Sequence, residues 1–239
     1  MKIDLIPAKD PNVPSATSKA PAHQVIYEKL RLMILFGELA PGQAVTIQGL
    51  TAAMGAGMTP VREAIRRLTA EGALTHQGNR RVSVPILSPD CADELGFMRG
   101  TLEPELARRA AVRIDQEGLD ALKVSDGLLN EAIEKGDIRG YLTNNYRFHT
   151  QIYAIAEAPI MAATVDRLWL RFGPSLRVVC GRFGTENLPD KHMDLLNALA
   201  QHDATAAAQA MSEDVAQGLV QIRAAFETNS DGRDLVDFE

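Results

Sequence analysis

The stretch from Gly57 to Val84, GMTPVREAIRRLTAEGALTHQGNRRVSV, constrains the fold of this 239-residue chain more tightly than any other. Val61, Ala64, Ile65 and Leu68 recur at i, i+3, i+4 and i+7, the spacing of a helix with one face on a core. Pro60 falls in the first turn of that helix, where a missing N–H costs little. Arg62, Arg66 and Arg67 lie off the apolar stripe. After Gly72 the period changes to alternation: Leu74 and His76, a Gly78-Asn79 turn, then Val82 and Val84 predict a two-stranded ribbon. Arg80 and Arg81 stand at its tip.

The residues upstream complete a unit. Ala22 to Phe36 predicts a helix with Ile26, Leu30, Met33 and Ile34 on one side. It stops at Gly37, and Ala40-Pro41-Gly42 makes a turn. Thr46 to Met54 predicts a shorter helix with Ile47, Leu50 and Ala53 inward, and Gly55-Ala56-Gly57 turns into the third. Three helices and a ribbon with basic residues on the last helix and the ribbon tip form a winged helix-turn-helix. In such a module the third helix enters the major groove of DNA and the wing lies alongside.

The runs LRLMILFGELAPG, TIQGLTAAMG and TPVREAIRRLTAEG closely resemble the N-terminal domain of GntR-type bacterial transcription regulators. The resemblance implies base reading by Thr59 and Arg62, a phosphate contact by Arg66, and a wing tip at Gly78, Asn79 and Arg80. One position departs from the family, which usually has Ser-Arg where this chain has Gly57-Met58. A methionine cannot make the bidentate guanine contact of an arginine, so the operator is expected to differ there. Read without the family, the same arginines would be a solvated helix face, with Glu63 and Arg67 an ordinary i, i+4 pair.

Charge supports the division. The whole chain carries −6, yet residues 23–88 hold seven basic against four acidic residues, a net of +3. From residue 89 to the end fifteen basic face twenty-five acidic residues, a net of −10. A mildly basic head on an acidic body suits DNA, because only the docking face must attract phosphate. Cys91 and Cys180 have no metal-knuckle or redox spacing and read as small, reduced residues. No apolar run approaches membrane length and no signal-peptide core opens the chain, so a soluble cytoplasmic protein is expected. Residues 1–21, with four of the twelve prolines, read as a flexible leader.

Beyond a Pro85 to Pro89 punctuation the pattern is helical throughout. Helices are predicted at about 89–113, 116–135, 137–156, 159–181, 189–201 and 203–228. The expected fold is therefore mainly α: a winged helix-turn-helix at 22–85, a linker at 86–89, an all-α bundle at 90–229 and a tail at 230–239.

This half resembles the helical ligand-sensing (FCD-type) domain of the FadR branch of the GntR family, in its six-helix, VanR-like form. The resemblance rests on RGTLEPELARRAA, NNYRFHTQIYAIAEAP, HMDLLNAL and HDATAAAQAMSEDV. Many members hold a divalent metal with an Asp-x-x-x-His pair and two further histidines. Position by position, the resemblance implies Asn145, His149, His192 and Asp214 as the metal set, an amide replacing the aspartate and an aspartate replacing the last histidine. The formal ligand charge stays at −1, and two imidazoles with one carboxylate still make a three-ligand set for Zn²⁺, Ni²⁺ or Mn²⁺. Without a metal, Asn145, His149 and His192 would line a polar cavity for a small anion. The family also implies that Arg99 grips an effector carboxylate; its plain alternative is a surface salt bridge with Glu103.

Three readings of function follow. The first is a DNA-binding regulator, a repressor by preference, working as a homodimer on a palindromic operator and controlled by a small carboxylated metabolite. The second is a metal-dependent helical enzyme acting on a small acid. No G-x-S-x-G motif, glycine-rich phosphate loop or evident general base supports it, so no catalytic residue is assigned. The third is a constitutive DNA-binding dimer without an effector.

Overall fold

A computed structural model describes residues 21–77, 81–183 and 191–230. The head begins with α1 (Ala22–Leu35), which buries Ile26, Leu30, Met33 and Ile34 on one side. A short strand, β1 (Ala44–Val45), leads into α2 (Ile47–Met54). Thr46 caps α2 by accepting from the Gly49 N–H at 3.0 Å, and Gly55 ends it in the left-handed region at φ 61°. Helix α3 (Met58–Ala70) buries Val61, Ala64, Ile65 and Leu68, the stripe its sequence period predicts. Gly57 is its N-cap and offers no side chain to the turn.

The ribbon consists of β2 (Thr75–Gln77) and β3 (Arg81–Ser83), paired antiparallel with His76 opposite Val82. The strand β1 pairs with the other edge of β3, giving the order β1-β3-β2. It is two residues long, too short for any periodicity to announce it. The Pro41-Gly42 turn puts it there, and the Gly42 N–H bonding to the Val84 carbonyl at 2.9 Å extends the pairing.

Among the described residues the body holds six helices: α4 (Pro89–Arg113), α5 (Gln116–Glu134), α6 (Ile138–Ile155), α7 (Pro159–Phe183), α8 (His192–Ala200) and α9 (Ala204–Ser230). Their starts are set by local chemistry. Ser88, Asp115 and Asp137 each accept an N–H from the first turn, and Pro89 occupies a position that lacks an intrahelical partner anyway. Helix α4 packs along α9, α5 along α6, and α8 on α9. Between α8 and α9, His202 takes φ 52° and is held there by its Nδ1 at 2.8 Å from the Ala111 carbonyl. Cys180 is buried, which pushes its thiol up to about 12, and Cys91 is half-buried; neither is in a disulfide.

Head and body share one continuous apolar core. Helix α1 is the joint, packing on α3 on one side and on α7 on the other. At the crossing a Cβ on Gly173 would lie 2.1 Å from the Leu35 carbonyl oxygen, so only glycine permits this approach. Gly173→Ala is therefore expected to destabilise the protein by about 1–3 kcal/mol through overpacking, lowering the melting temperature by several degrees. An unchanged calorimetric transition would show that the two helices are not pressed together.

Candidate functional site

Two regions gather the polar side chains singled out above. The first is the outer face of α3. Thr59, Arg62 and Arg66 are exposed there, together with Met58. Their spacing puts all three on the side opposite the buried stripe. Arg62 makes no ion pair among the described residues. Arg66 lies against Glu63, with Nη2 to Oε2 at 2.9 Å. The Glu63–Arg67 pair of the plain alternative does not form. Arg67 turns inward to α1 instead, stacking 3.6 Å over the Tyr27 ring and donating to Glu71 and Gln24 at 3.1 Å each. The aromatic face offers a cation a drier partner than an exposed carboxylate does. Gly78, Asn79 and Arg80 lie outside the described residues.

The second is a buried polar cluster inside the bundle. His149 and Asn145 project from one face of α6, a helical turn apart, and both are buried. His192 opens α8, and Asp214 lies on α9. The structure brings the ligating atoms of His149, His192 and Asp214 within 4.8 Å of one another. His149 Nε2 is 3.2 Å from Asp214 Oδ2, and His192 Nε2 is 3.9 Å from Asp214 Oδ1. Asn145 lines the same cavity, of about 60 Å³, with Arg99, Trp169 and Gln221.

The outer ring nitrogens are equally informative. His192 Nδ1 is 3.1 Å from Asp126 on α5, and His149 Nδ1 is 3.5 Å from Glu103 on α4 without a hydrogen bond of its own. Each imidazole thus has a carboxylate behind it and its Nε2 in front, facing Asp214. The His192 ring also stacks on Phe148 at 4.0 Å, which fixes its plane.

Arg99 is not the surface residue its plain alternative supposed. Arg99 is 2 % exposed and Glu103 0 %, and Nε lies 2.5 Å from Oε1. The guanidinium is clasped between Trp169 and Phe172, 4.3 and 4.1 Å from their centroids. Glu103 also accepts from the Tyr153 hydroxyl at 2.6 Å, which in turn accepts from Trp169 Nε1 at 3.2 Å. With Nε and Nη2 directed at Glu103, a carboxylate ligand can reach Arg99 only by its remaining edge.

Glu103, Asp126, Tyr153 and Gln221 were not singled out as site residues from the sequence. A signal existed for two of them. Asp126 interrupts the apolar series Leu119, Leu122, Leu129 on α5, and Glu103 sits between Arg99 and Leu106 on the buried face of α4. A carboxylate on an apolar stripe needs a partner. Gln221 carries a buried amide oxygen without a hydrogen-bond partner among the described residues, a feature of packing that no sequence pattern reports.

The family model "Bacterial regulatory proteins, gntR family" matches residues 22–84, and the FCD domain model matches residues 94–217. The chain belongs to the GntR family of bacterial regulators. Among GntR relatives, the HTH-type transcriptional regulator McbR of Escherichia coli (strain K12) is 28 % identical over 194 residues, covering 80 % of this chain and 87 % of its own. The HTH-type transcriptional repressor RspR of the same strain is 26 % identical over 215 residues, covering 88 % and 93 %. A solved structure of E. coli McbR/YncC superposes with a TM-score of 0.82 at 25 % identity over 87 % of this chain and 99 % of that one. As a GntR protein with an FCD domain this chain is a transcriptional regulator, not an enzyme. Among its described residues no helix is long and apolar enough to cross a membrane.

Without a metal, burial pushes the His149 imidazole down, but the carboxylates of Asp214 and Glu103 prevail and hold it at about 9. That lies above the usual value near 6.5. The stabilisation is therefore complete below about pH 6.5 and is lost as pH rises through 9, about 3 kcal/mol in all. Chemical denaturation of metal-free protein should show stability falling between pH 7 and 9.5, with a flatter profile in His149→Gln. Parallel profiles would place the proton elsewhere.

Proposed function

We propose that this GntR-family protein is a ligand-responsive repressor whose buried His149–His192–Asp214 cluster holds a divalent metal. The observation that carries the reading is the two-sided arrangement of the imidazoles. A metal-bound histidine commonly presents one ring nitrogen to the ion and the other to a carboxylate, which orients the ring and raises its basicity. Glu103 and Asp126 stand in that outer position, and the two Nε2 atoms face Asp214.

The donor set fits Zn²⁺, Ni²⁺ or Mn²⁺: two neutral imidazoles and one carboxylate, with the Asn145 amide oxygen as a weaker fourth donor. Such an ion supplies positive charge and open positions to which a small carboxylate can bind. Asn145, Gln217 and Gln221 line the same cavity and offer amide hydrogen bonds to the remainder of that molecule. Arg99 contributes a fixed charge along the wall, held by Glu103 and the two aromatic rings.

At the head, Thr59 and Arg62 read base edges, and Arg66 exchanges Glu63 for phosphate. The protein works in the cytoplasm as a homodimer on two half-sites. Repression is supported by the relatives named as repressors, RspR and the "Probable D-xylose utilization operon transcriptional repressor" of Paenarthrobacter nicotinovorans, 25 % identical over 205 residues.

Two measurements test this. In mobility shifts on the DNA upstream of its own gene, Arg62→Ala should lose about 1–3 kcal/mol of specific binding and relax the preference at one base position. An equal loss on every sequence would reduce Arg62 to a phosphate contact. Elemental analysis of protein purified without chelator should find one divalent ion per chain. His192→Ala should lower metal affinity at least about tenfold. A metal-free protein that binds DNA regardless of added metal or carboxylates would instead be a constitutive DNA-binding dimer.

A further inference from the structure

The buried site and the DNA-reading head are joined by a second cluster. Arg31 leaves α1 and enters the body, where its Nη2 lies 2.5 Å from Asp166 Oδ1 on α7 and donates to the Tyr146 hydroxyl on α6 at 3.2 Å. The Tyr146 hydroxyl in turn donates to the same Asp166 oxygen. One carboxylate thus gathers a cation from the head and a phenol from the body. Burial and the Asp166 charge push the Tyr146 hydroxyl up to about 12, so it stays a donor.

The ring of Tyr146 bridges the same two parts. It meets Phe36, at the end of α1, edge to face at 6.1 Å, and Trp169 in the same geometry at 5.6 Å. Trp169 is a wall of the buried cavity. It stands 5.3 Å from the His149 ring, caps the Arg99 guanidinium and donates to Tyr153. Tyr146 also follows Asn145 directly and lies three residues before His149 on α6. A shift of α6 or Trp169 on filling the cavity would act directly on contacts of Phe36 and Arg31. From there it passes to α3, because α1 and α3 pack face to face and Arg67 is clipped to Tyr27.

We infer that the Arg31–Tyr146–Asp166 cluster, with Phe36 and Trp169 on either side of the tyrosine ring, couples the buried site to the placement of the DNA-reading head. This rests on reading the buried site as the regulatory one. The cluster is suited to the task because its parts are discrete: a hydrogen bond and an ion pair are made or broken, whereas a smooth apolar contact only slides. An occupant changes DNA affinity only if it binds the latched and unlatched arrangements unequally, and such couplings are commonly on the order of five- to 150-fold.

The test is an exchange comparison on the full chain. Amide hydrogen exchange across residues 30–36 is followed in the native protein, Tyr146→Phe, His149→Gln and the double variant. Tyr146→Phe keeps the ring and removes only the hydroxyl; Asp166→Asn is the second variant of the cluster. Tyr146→Phe and Asp166→Asn should each speed exchange in that segment about fivefold or more, leaving α8 unchanged. His149→Gln should alter exchange in the same segment in the native background and have no effect there once the hydroxyl is gone. An equal response to His149→Gln in both backgrounds, or none in either, overturns the inference and leaves a static brace.

Zinc chloride, titrated by Trp169 fluorescence, separates this from the proposed function. Zinc that binds Tyr146→Phe as it binds the native protein, but no longer changes its DNA affinity, supports the cluster. Equal effects of zinc on DNA affinity in both proteins count against it. A native protein that takes up none of zinc, nickel or manganese refutes the metal reading, and the exchange comparison still decides the cluster.

Discussion

The Glu103 carboxylate has no contact with solvent, and the helical body is arranged around the need to pair it. It faces the guanidinium of Arg99, the hydroxyl of Tyr153 and the imidazole of His149. Burial alone would drive its pKa up, yet the Arg99 charge and His149 hold it below the usual carboxylate range. A buried ion pair of this kind adds little net stability, but removing one member leaves a stranded charge at a cost of about 3–5 kcal/mol. The four groups are thus tied to one another, and they tie α4 to α6. Asp126 behind His192 does the same for α5 and α8.

That arrangement explains why the cavity is both polar and small. Trp169 and Phe172 on its wall pack on the Arg99 guanidinium, and Phe148 stacks on the His192 ring, so the charged groups are held in fixed planes. Preorganised donors of this kind need little rearrangement to accept an ion or an anion. The same rings continue outward to Tyr146 and Phe36, so the polar site and the junction with the head share one aromatic wall. The acidic body and the mildly basic head meet at α1, where Arg31 reaches from one into the other.

Much of the fold was legible. The period of α3 and the helix breaks at Gly136, Pro159 and His202 appear in the structure where the pattern puts them, because caps, glycines and prolines act through local sterics. Helix ends moved by a residue or two, as in α7, which runs on to Phe183. The strand β1 was missed because two residues carry no period. The alternative that paired Arg67 with Glu63 rested on spacing, which cannot weigh an aromatic face on another helix.

From the sequence by itself came the three-helix head with its ribbon, the six-helix body, and the residue types available for metal and DNA. These depend on short-range periodicity and on the family likeness carried by local motifs. Only the tertiary structure decided that Arg99 points at Glu103 in the interior, that Asp126 and Glu103 stand behind the two histidines, and that Tyr146 links them to Arg31. Spacing alone allowed the i, i+4 pairing of Arg99 with Glu103 but not its burial, and the other contacts join residues far apart in the chain. Distance through space is set by how whole helices pack, and no local pattern encodes it.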